Sequence, residues 1–205
     1  MFKEKLIIIP TVTGTKMKGF TMRKVFVFLM SCLMALSVFC AVNAAEEHSD
    51  TLVVYFSATG TTKSVAEKIA DLTGADLYEI IPIQIYTAED LNWNDRNSRT
   101  SIETDDPSCR PEIASDELNL EGYDTIYVGY PVWWGDIPRI MSTFVEKYDF
   151  EERTMIPFCT SGGSGVGQSD KHLEEQAGSG KWVKGTRLQA GISNDDLLKW
   201  INTNK

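Results

Sequence analysis

The chain contains few of the residues that most often build metal centres and nucleophilic catalytic sites. Its 205 residues include only two histidines and four cysteines, and two of the cysteines lie in an apolar run near the amino terminus. The others, Cys109, Cys159, His48 and His172, are scattered. A structural metal site needs about four such ligands close together, and a catalytic histidine needs a nucleophile beside it. We therefore expect no metal site and no Ser-His-acid arrangement, and we expect His172 to be a solvated surface residue.

Basic residues are scarce relative to acidic ones. The whole chain has 20 Lys and Arg against 29 Asp and Glu, a formal net charge of −9. Residues 1–44 contain six of the basic residues and one of the acidic ones, so the rest of the chain has a net charge of −14. A surface this acidic repels nucleic acid and anionic membranes. We expect neither as a partner.

The longest apolar run lies at residues 22–44, with the sequence MRKVFVFLMSCLMALSVFCAVNA. Two basic residues precede the apolar stretch, and the run ends in small residues that a signal peptidase accepts. We interpret it as a Sec-type signal peptide, cut after Ala44 or Ala45, that exports the protein to the periplasm or the extracellular medium. A membrane anchor is the other interpretation, because residues 25–42 are close to the minimum length of a span. The absence of a basic flank after the run favours cleavage, which would leave no membrane span.

Residues 1–44 are accordingly an N-terminal extension with a signal peptide, and residues 45–205 are one domain with a core of its own. From residue 51 onward, apolar runs alternate with amphipathic segments. This alternation predicts a parallel, doubly wound α/β sheet of five strands. The predicted strands are residues 51–57, 75–81, 124–130, 154–160 and 184–190.

Four helices are predicted between and after these strands. The first ends at Thr73 because Gly74 is a typical helix C-cap, and the last opens at Ser193, a typical N-cap. The others are residues 137–148, with a proline in the first turn, and residues 169–176.

A long polar segment, residues 82–120, interrupts the alternation, and we call it the cover segment. It contains at most one or two short helices. Irregular segments of this length are usually either functional covers or mobile. Both interpretations remain open at the level of sequence.

Three loops follow predicted strands and should meet at the carboxyl edge of the sheet, where doubly wound proteins bind ligands. The hydroxyl loop, residues 57–62 (SATGTT), leads directly into a helix. Helix N-termini attract anions, the hydroxyl groups add donors, and Gly60 allows close approach of the backbone. The loop contains no carboxylate, so it is suited to a phosphate. Its glycine pattern fits neither the Walker A loop nor the dinucleotide fingerprint.

The other two loops are suited to a planar ring. The tryptophan loop, residues 131–136 (PVWWGD), places Trp133 and Trp134 at the end of a strand. Exposed tryptophans usually contact a flat partner. We expect one of these two to do so and the other to pack onto the neighbouring helix. The glycine loop, residues 161–168 (SGGSGVGQ), has four glycines, so its backbone can approach a ligand and offer N–H donors.

In this order, the three loops resemble those of flavodoxin-like FMN proteins, in particular the group with a P-x-W-W-G loop and a T-S-G-G-S-G-x-G loop. The resemblance covers residues 51–200. It implies a three-layer α/β/α flavodoxin-like fold with strand order 2-1-3-4-5, and FMN as the cofactor.

The resemblance also implies a role for each loop. The FMN phosphate would be held by Ser57, Ala58, Thr59, Gly60, Thr61 and Thr62. The isoalloxazine ring would be flanked by Pro131, Val132, Trp133, Trp134 and Gly135, with one tryptophan stacked on it. The opposite edge of the ring and its polar rim would be lined by Thr160, Ser161, Gly162, Gly163 and Gly167. The cover segment would help to enclose the flavin through Trp93, Asn94, Arg99 and Arg110.

The function implied is electron transfer between redox partner proteins. An alternative is an FMN-dependent NAD(P)H reductase of quinones or other small aromatic acceptors, with the cover segment shaping the substrate pocket. A third possibility, of another class, is a non-redox binding module for a phosphate ligand. Most members of the family are cytoplasmic, so the export signal sets this chain apart and leaves its electron donor open.

The two cysteines outside the apolar run allow a further hypothesis. Two separate thiols are the simpler expectation for Cys109 and Cys159. In an oxidising compartment the two could instead form a disulfide. Because Cys109 lies in the cover segment and Cys159 precedes the glycine loop, that bond would fix the cover over the flavin.

Overall fold

The computed structural model describes residues 49–204, which form a parallel sheet between two layers of helices. The sheet order is β2-β1-β3-β4-β5, with β6 also paired to β4, and every pairing is parallel. The strands are β1 Thr51–Tyr55, β2 Asp76–Glu79, β3 Thr125–Pro131, β4 Thr154–Thr160, β5 Lys181–Trp182 and β6 Thr186–Arg187. This confirms the doubly wound fold and its strand order. The predicted extension and signal peptide lie outside the described residues.

Five helices are present in this part of the chain. They are α1 Thr61–Thr73, α2 Arg99–Asp105, α3 Arg139–Val145, α4 Ser169–Ala177 and α5 Asn194–Thr203. As predicted, α1 ends at a left-handed Gly74, and the Ser193 side chain caps α5 by accepting from the Asp196 N–H. Between residues 49 and 204, no helix combines the length and apolarity needed to cross a membrane.

Helix α3 is shorter than predicted at both ends. Pro138 is its N-cap, with an extended backbone at φ −61° and ψ 141°, and does not form part of the first turn. A residue before proline is pushed away from helical geometry, so Ile137 cannot join the helix. The chain leaves the helix after Val145 and continues as a turn.

The fifth strand differs from the prediction, because only Thr186–Arg187 of the predicted run at residues 184–190 is a strand, and another short strand, Lys181–Trp182, precedes that run. β5 pairs with the start of β4, and β6 pairs near its end. Between them, the Gly185 N–H donates to Asp170 Oδ2 of α4 at 2.9 Å and turns away from the sheet. A Cβ at this position would lie 2.7 Å from the Asp170 Cβ, so the approach requires glycine.

Alternate residues of the central strands face opposite layers, which confirms the three-layer arrangement. One face packs against α3 and α4, and the other against α1 and α5. The first cluster includes Leu52, Val54, Ile126, Val128, Ile140, Phe144 and Leu173. The second includes Val53, Tyr55, Tyr127, Ile69, Leu197 and Ile201. The sheet is therefore buried on both faces, and its carboxyl edge carries the three loops.

Gly129 makes a close contact with β4 just before the tryptophan loop. It pairs with Phe158, whose ring lies against the glycine. A Cβ on Gly129 would lie 2.3 Å from the Phe158 Cζ. The Gly129 carbonyl also accepts from the Phe56 N–H at 2.9 Å, next to the start of the hydroxyl loop. This contact therefore ties the packing of the core to the edge of the sheet that carries the loops.

Replacing Gly129 with alanine is expected to lower the free energy of unfolding by about 1–3 kcal/mol, because the added methyl group overpacks the core. Urea denaturation at neutral pH measures the change. Gly191→Ala is the matched control, since a Cβ there meets no atom within 4 Å. Equal stability of the two variants would contradict the packing described for Gly129.

Candidate functional site

The three loops meet at the carboxyl edge of the sheet and contact one another directly. The Val132 N–H donates to the Thr160 carbonyl at 2.9 Å. The Thr62 and Thr160 hydroxyls are buried and lie 2.8 Å apart. A Cβ on Gly167, which has a φ of 62°, would lie 3.1 Å from the Gly135 carbonyl oxygen. The predicted convergence of the loops is thus present, and Thr62, Thr160 and Gly167 hold the loops together.

The hydroxyl loop delivers an uncapped helix N-terminus to this edge. Gly60, at φ 82°, is the N-cap of α1; it supplies no side-chain cap, and the first turn contains no acidic residue. The first N–H groups of a helix have no intrahelical acceptor. The Ser57 Oγ is buried without a hydrogen-bond partner, although a buried polar atom without a partner costs about 1–3 kcal/mol. An anion at this helix end would accept from the free N–H groups, so the helix end fits a phosphate.

The tryptophan loop is a tight turn with two left-handed residues. Trp133 and Asp136 exchange N–H to carbonyl hydrogen bonds of 3.0 and 2.9 Å. The residues between them, Trp134 and Gly135, have φ values of 54° and 81°. Positive φ at both central positions defines a type I′ turn, which glycine adopts easily and tryptophan does not. The turn therefore holds the Trp134 side chain outward at the expense of backbone strain.

The two tryptophans have different environments. Trp133 packs edge-on against Phe56 and Tyr86, with ring centroids 5.5 and 5.1 Å away. It also packs against the core cluster that contains Ile140 and Met141 of α3, the helix that follows the loop. Trp134 is 44% exposed, and the guanidinium of Arg96 lies 5.9 Å from its ring centroid. Trp134 is thus the tryptophan that offers an aromatic face.

These loops enclose a cleft of about 800 Å³. Its volume lies in the range of pockets that bury a ligand of drug-like or cofactor size. The lining contains no carboxylate and no basic side chain. The lining residues are Thr59, Leu91, Trp93, Thr100, Val132, Trp133, Trp134, Gly135, Ser161, Gly162, Gly163 and Ser164.

The cover segment supplies one wall of the cleft through Leu91, Trp93 and Thr100. Trp93 is 70% exposed. Thr100 fixes this wall, since its N–H and hydroxyl both donate to the Asp90 carbonyl, at 3.1 and 2.8 Å. Of the two interpretations of this segment, the packing favours a cover.

A buried polar cluster anchors the cover to the protein. Glu103 of α2 accepts from the Tyr86 hydroxyl at 2.7 Å and from the Arg99 Nε at 2.6 Å. The Arg99 guanidinium lies 3.9 Å from the Tyr86 ring centroid. Burial, followed by the bond to Glu103, raises the pKa of Tyr86, so the phenol stays protonated. Arg139 of α3 adds bonds to the Glu103 and Thr104 carbonyls at 3.2 and 2.8 Å.

Of the four cover residues expected to enclose the flavin, the structure places one, Trp93, in the wall of the cleft. Arg99 is occupied by the cluster just described. Arg110 binds Glu146, the residue after α3, through two bonds of 2.8 and 2.7 Å. Asn94 is exposed, and its N–H donates to the Asn92 side chain at 3.1 Å. The two arginines therefore fasten the cover and do not line the cleft.

His172 is a surface residue as expected, with its side chain 45% exposed, but the side chain also has a protein partner. Its Nδ1 lies 2.9 Å from Asp136 Oδ1, which also accepts from the Ile137 N–H at 2.8 Å. The second Asp136 oxygen lies 3.8 Å from an Arg139 nitrogen. Asp136 thereby joins the tryptophan loop to α3 and α4. The contact could not be predicted because it links residues 36 positions apart.

Both cysteines in the described part of the chain are free thiols. Cys159 is buried in β4, and burial raises its pKa to about 11. Cys109 is partly buried, and its pKa is also raised, mainly by burial. The hypothesis that a disulfide fixes the cover is therefore wrong for this structure, and the simpler expectation of two separate thiols is the one observed.

Known proteins were compared with this chain in sequence and structure. The sequence model of the family described as Flavodoxin matches residues 50–204. No curated protein matches the chain. The crystal structure of a candidate flavoprotein from Bacteroides eggerthii is 42% identical, with a TM-score of 0.71, and the match covers 75% of this chain and 96% of that one.

Two further solved structures are similar. A candidate flavoprotein from Bacteroides uniformis is 45% identical, with a TM-score of 0.70, over 74% of this chain and 97% of that one. A flavoprotein from Lactobacillus acidophilus, solved in complex with FMN, is 26% identical, with a TM-score of 0.56, over 74% of this chain and 97% of that one.

The left-handed backbone at Trp134 leads to a prediction about stability. Trp134→Gly and Trp134→Ala both remove the ring, but only glycine relieves the strain at positive φ. We expect the glycine variant to be more stable than the alanine variant by about 1 kcal/mol in urea denaturation.

Glu152, the other described non-glycine residue at positive φ (66°), provides the control. Its glycine and alanine variants should differ in the same direction, without any effect on ligand binding. An alanine variant at position 134 that matched or exceeded the glycine variant would show that the turn is not left-handed there.

Proposed function

The chain belongs to the flavodoxin family, and on that premise we propose that it binds FMN in the cleft and transfers electrons between redox partner proteins. One observation carries the proposal. An uncapped helix N-terminus, an exposed tryptophan face and a glycine loop open onto the same edge of the sheet, where each matches a different part of FMN. When bound, FMN supplies the redox chemistry of the protein.

The first task of the protein is to hold the phosphate. The uncapped turn of α1 offers backbone N–H groups, and Ser57 offers a buried hydroxyl without a partner. Lys63 of the same turn is 3.0 Å from Glu79, so its charge is already paired. The phosphate would therefore be held mainly by neutral donors and the helix dipole.

The second task is to hold and orient the ring. Trp134 offers a face for stacking, and Trp133 supports the turn from inside through its contacts with Phe56 and Tyr86. The glycine loop offers backbone N–H donors to the polar rim of the ring. The similarity to the Lactobacillus acidophilus protein, which was solved with FMN, supports this assignment.

A second candidate function rests on the cover segment. Leu91, Trp93 and Thr100 form an additional wall of the cleft, beyond what the three loops supply. Such a wall suits a small planar acceptor lying against the flavin. The alternative is thus an FMN-dependent NAD(P)H reductase of quinones or similar aromatic compounds.

In our proposal, this chain differs from most of its family in its cellular compartment. We propose that the run at residues 22–44 directs export to the periplasm or beyond, on the basis of its signal-peptide pattern. The electron donor would then be a partner present in that compartment. Cell fractionation, with a variant lacking residues 22–44 as control, tests this: full-length protein in the cytoplasm would contradict export.

The visible absorption spectrum of the purified protein, before and after addition of FMN, tests the cofactor. We expect a yellow protein that quenches flavin fluorescence, with weaker binding in Trp134→Ala because the stacking face is lost. A colourless protein that ignores FMN would reject both redox functions and leave a phosphate-binding module.

The loaded protein then distinguishes the two redox functions. Rapid oxidation of NADH or NADPH with a quinone present, together with a raised KM for the quinone in Trp93→Ala, would favour the reductase. Reaction only with a protein partner would favour the electron carrier.

The buried hydroxyl of Ser57 allows a sharper test of the phosphate site. Ser57→Ala removes a polar atom without a protein partner, so the FMN-free protein should be as stable as wild type or slightly more stable. Its FMN affinity should fall roughly tenfold, since one hydrogen bond to a charged group is lost. Fluorescence titration measures the affinity, and urea denaturation measures the stability.

Ser142→Ala is the matched control for this test. Ser142 is fully buried on α3, and its hydroxyl also has no partner. Its loss should affect stability in the same way and leave FMN affinity unchanged. Equal affinities of the Ser57→Ala and Ser142→Ala variants would argue against a phosphate at the hydroxyl loop.

A further inference from the structure

Arg187, the last residue of β6, holds the glycine loop by its backbone carbonyls. One terminal nitrogen of its guanidinium donates to the Ser161 carbonyl at 2.9 Å. The other reaches the Gly163 carbonyl at 3.5 Å, a longer and weaker bond. A planar guanidinium can bridge two acceptors in this way, whereas a lysine ammonium lacks that fixed fork.

These two bonds fix the directions of two N–H groups. In a trans peptide the C=O of one residue and the N–H of the next point in opposite directions, and none of the described peptides is cis. Holding the carbonyls of Ser161 and Gly163 therefore turns the N–H groups of Gly162 and Ser164 away from Arg187. Both residues line the cleft.

The intervening peptide is fixed as well, because the Gly163 N–H donates to the Ser161 Oγ at 3.2 Å. Within residues 49–204, no protein group accepts from the N–H of Gly162 or Ser164. The Gly163 N–H thus stabilises the loop itself, and the N–H groups of Gly162 and Ser164 stay available as donors to the cleft.

The charge of Arg187 is not neutralised locally. Among the described residues, no carboxylate lies within ion-pair distance of it, and its Nε is buried without a partner. A recess of about 430 Å³ adjoins it, and the recess contains no acidic side chain. Its lining consists of Thr61, Thr160, Ser161, Gly162, Arg187, Leu188, Gln189, Ala190 and Gly191. A chain this acidic therefore keeps one uncompensated cation directly behind the glycine loop.

We propose that Arg187 is a positioning residue that aims the Gly162 and Ser164 N–H groups at the polar rim of the flavin. This inference rests on the proposed FMN site and adds to it. Two fixed donors and a nearby positive charge stabilise negative charge on the ring, and reduction increases that charge. Arg187 therefore strengthens FMN binding and raises the midpoint potential of the bound cofactor.

Two variants separate geometry from charge. Arg187→Gln removes the forked hydrogen bonds and the positive charge. We expect roughly tenfold weaker FMN binding and a lower midpoint potential. Arg187→Lys keeps the charge and loses the fork, so binding should weaken while the potential falls less. Flavin fluorescence titration gives the affinity, a redox titration with a reference dye gives the potential, and urea denaturation of the FMN-free protein corrects for folding.

Lys181→Gln is the matched control for the loss of one positive charge. Lys181 begins β5 and lies beside Thr154, the first residue of β4, at the amino-terminal ends of the strands and away from the cleft. Its ammonium pairs with exposed Glu152 at 2.6 Å. This variant should bind FMN as wild type does, with an unchanged potential.

Several outcomes would overturn the inference. Wild-type affinity and potential in Arg187→Gln would remove the positioning role and leave the proposed FMN function intact. A potential shift in Lys181→Gln as large as that in Arg187→Gln would show only a general charge effect. If Arg187→Gln does not fold, Arg187→Lys decides, since weakened binding in a stable variant supports the role. A wild-type protein that ignores FMN would overturn the inference together with the proposed function.

Discussion

The N-terminus of α1 is the constraint on which the rest of the site depends. This helix of 13 residues begins at the carboxyl edge of the sheet. It has a glycine N-cap, no side-chain cap and no acidic residue in its first turn. Helix α5 of the same domain shows the ordinary way to satisfy a helix N-terminus, because the Ser193 side chain caps it. Leaving α1 uncapped keeps donors available for an anion, but stability is lost as long as no anion is present. The orphaned Ser57 hydroxyl adds to the same deficit.

The tryptophan loop shows a similar exchange of stability for geometry. A left-handed tryptophan is strained, yet that conformation holds the Trp134 ring at the cleft. Support comes from behind, where Trp133 packs on Phe56 and Tyr86, and Tyr86 binds the buried Glu103. The same Glu103 anchors the cover segment through Arg99. One polar cluster thus stabilises both the turn and the cover, so a substitution that loosens one should also destabilise the other.

Sequence predicted the parts of this protein that depend on local pattern. Apolar periodicity placed four of the five predicted strands correctly. Gly74 marked the end of α1 and Ser193 the start of α5. The interruption between β5 and β6 was missed because it follows from one contact, Gly185 with Asp170, which no periodicity encodes. Motifs indicated the three loops for the same local reason. The side chains that fix those loops, Arg187 and His172, come from elsewhere in the chain and carry no local signal.

The distribution of charge explains why the hydroxyl loop lacks acid in an acidic protein. Neither the cleft nor the recess beside Arg187 is lined by any Asp or Glu, although acidic residues outnumber basic ones in the chain by nine. A single carboxylate at the α1 N-terminus would satisfy the helix dipole itself and repel a phosphate. Neutral hydroxyls and N–H groups avoid both effects. Acidic residues therefore lie outside the lining of the cleft and of the recess, where their repulsion acts on partners and not on the ligand.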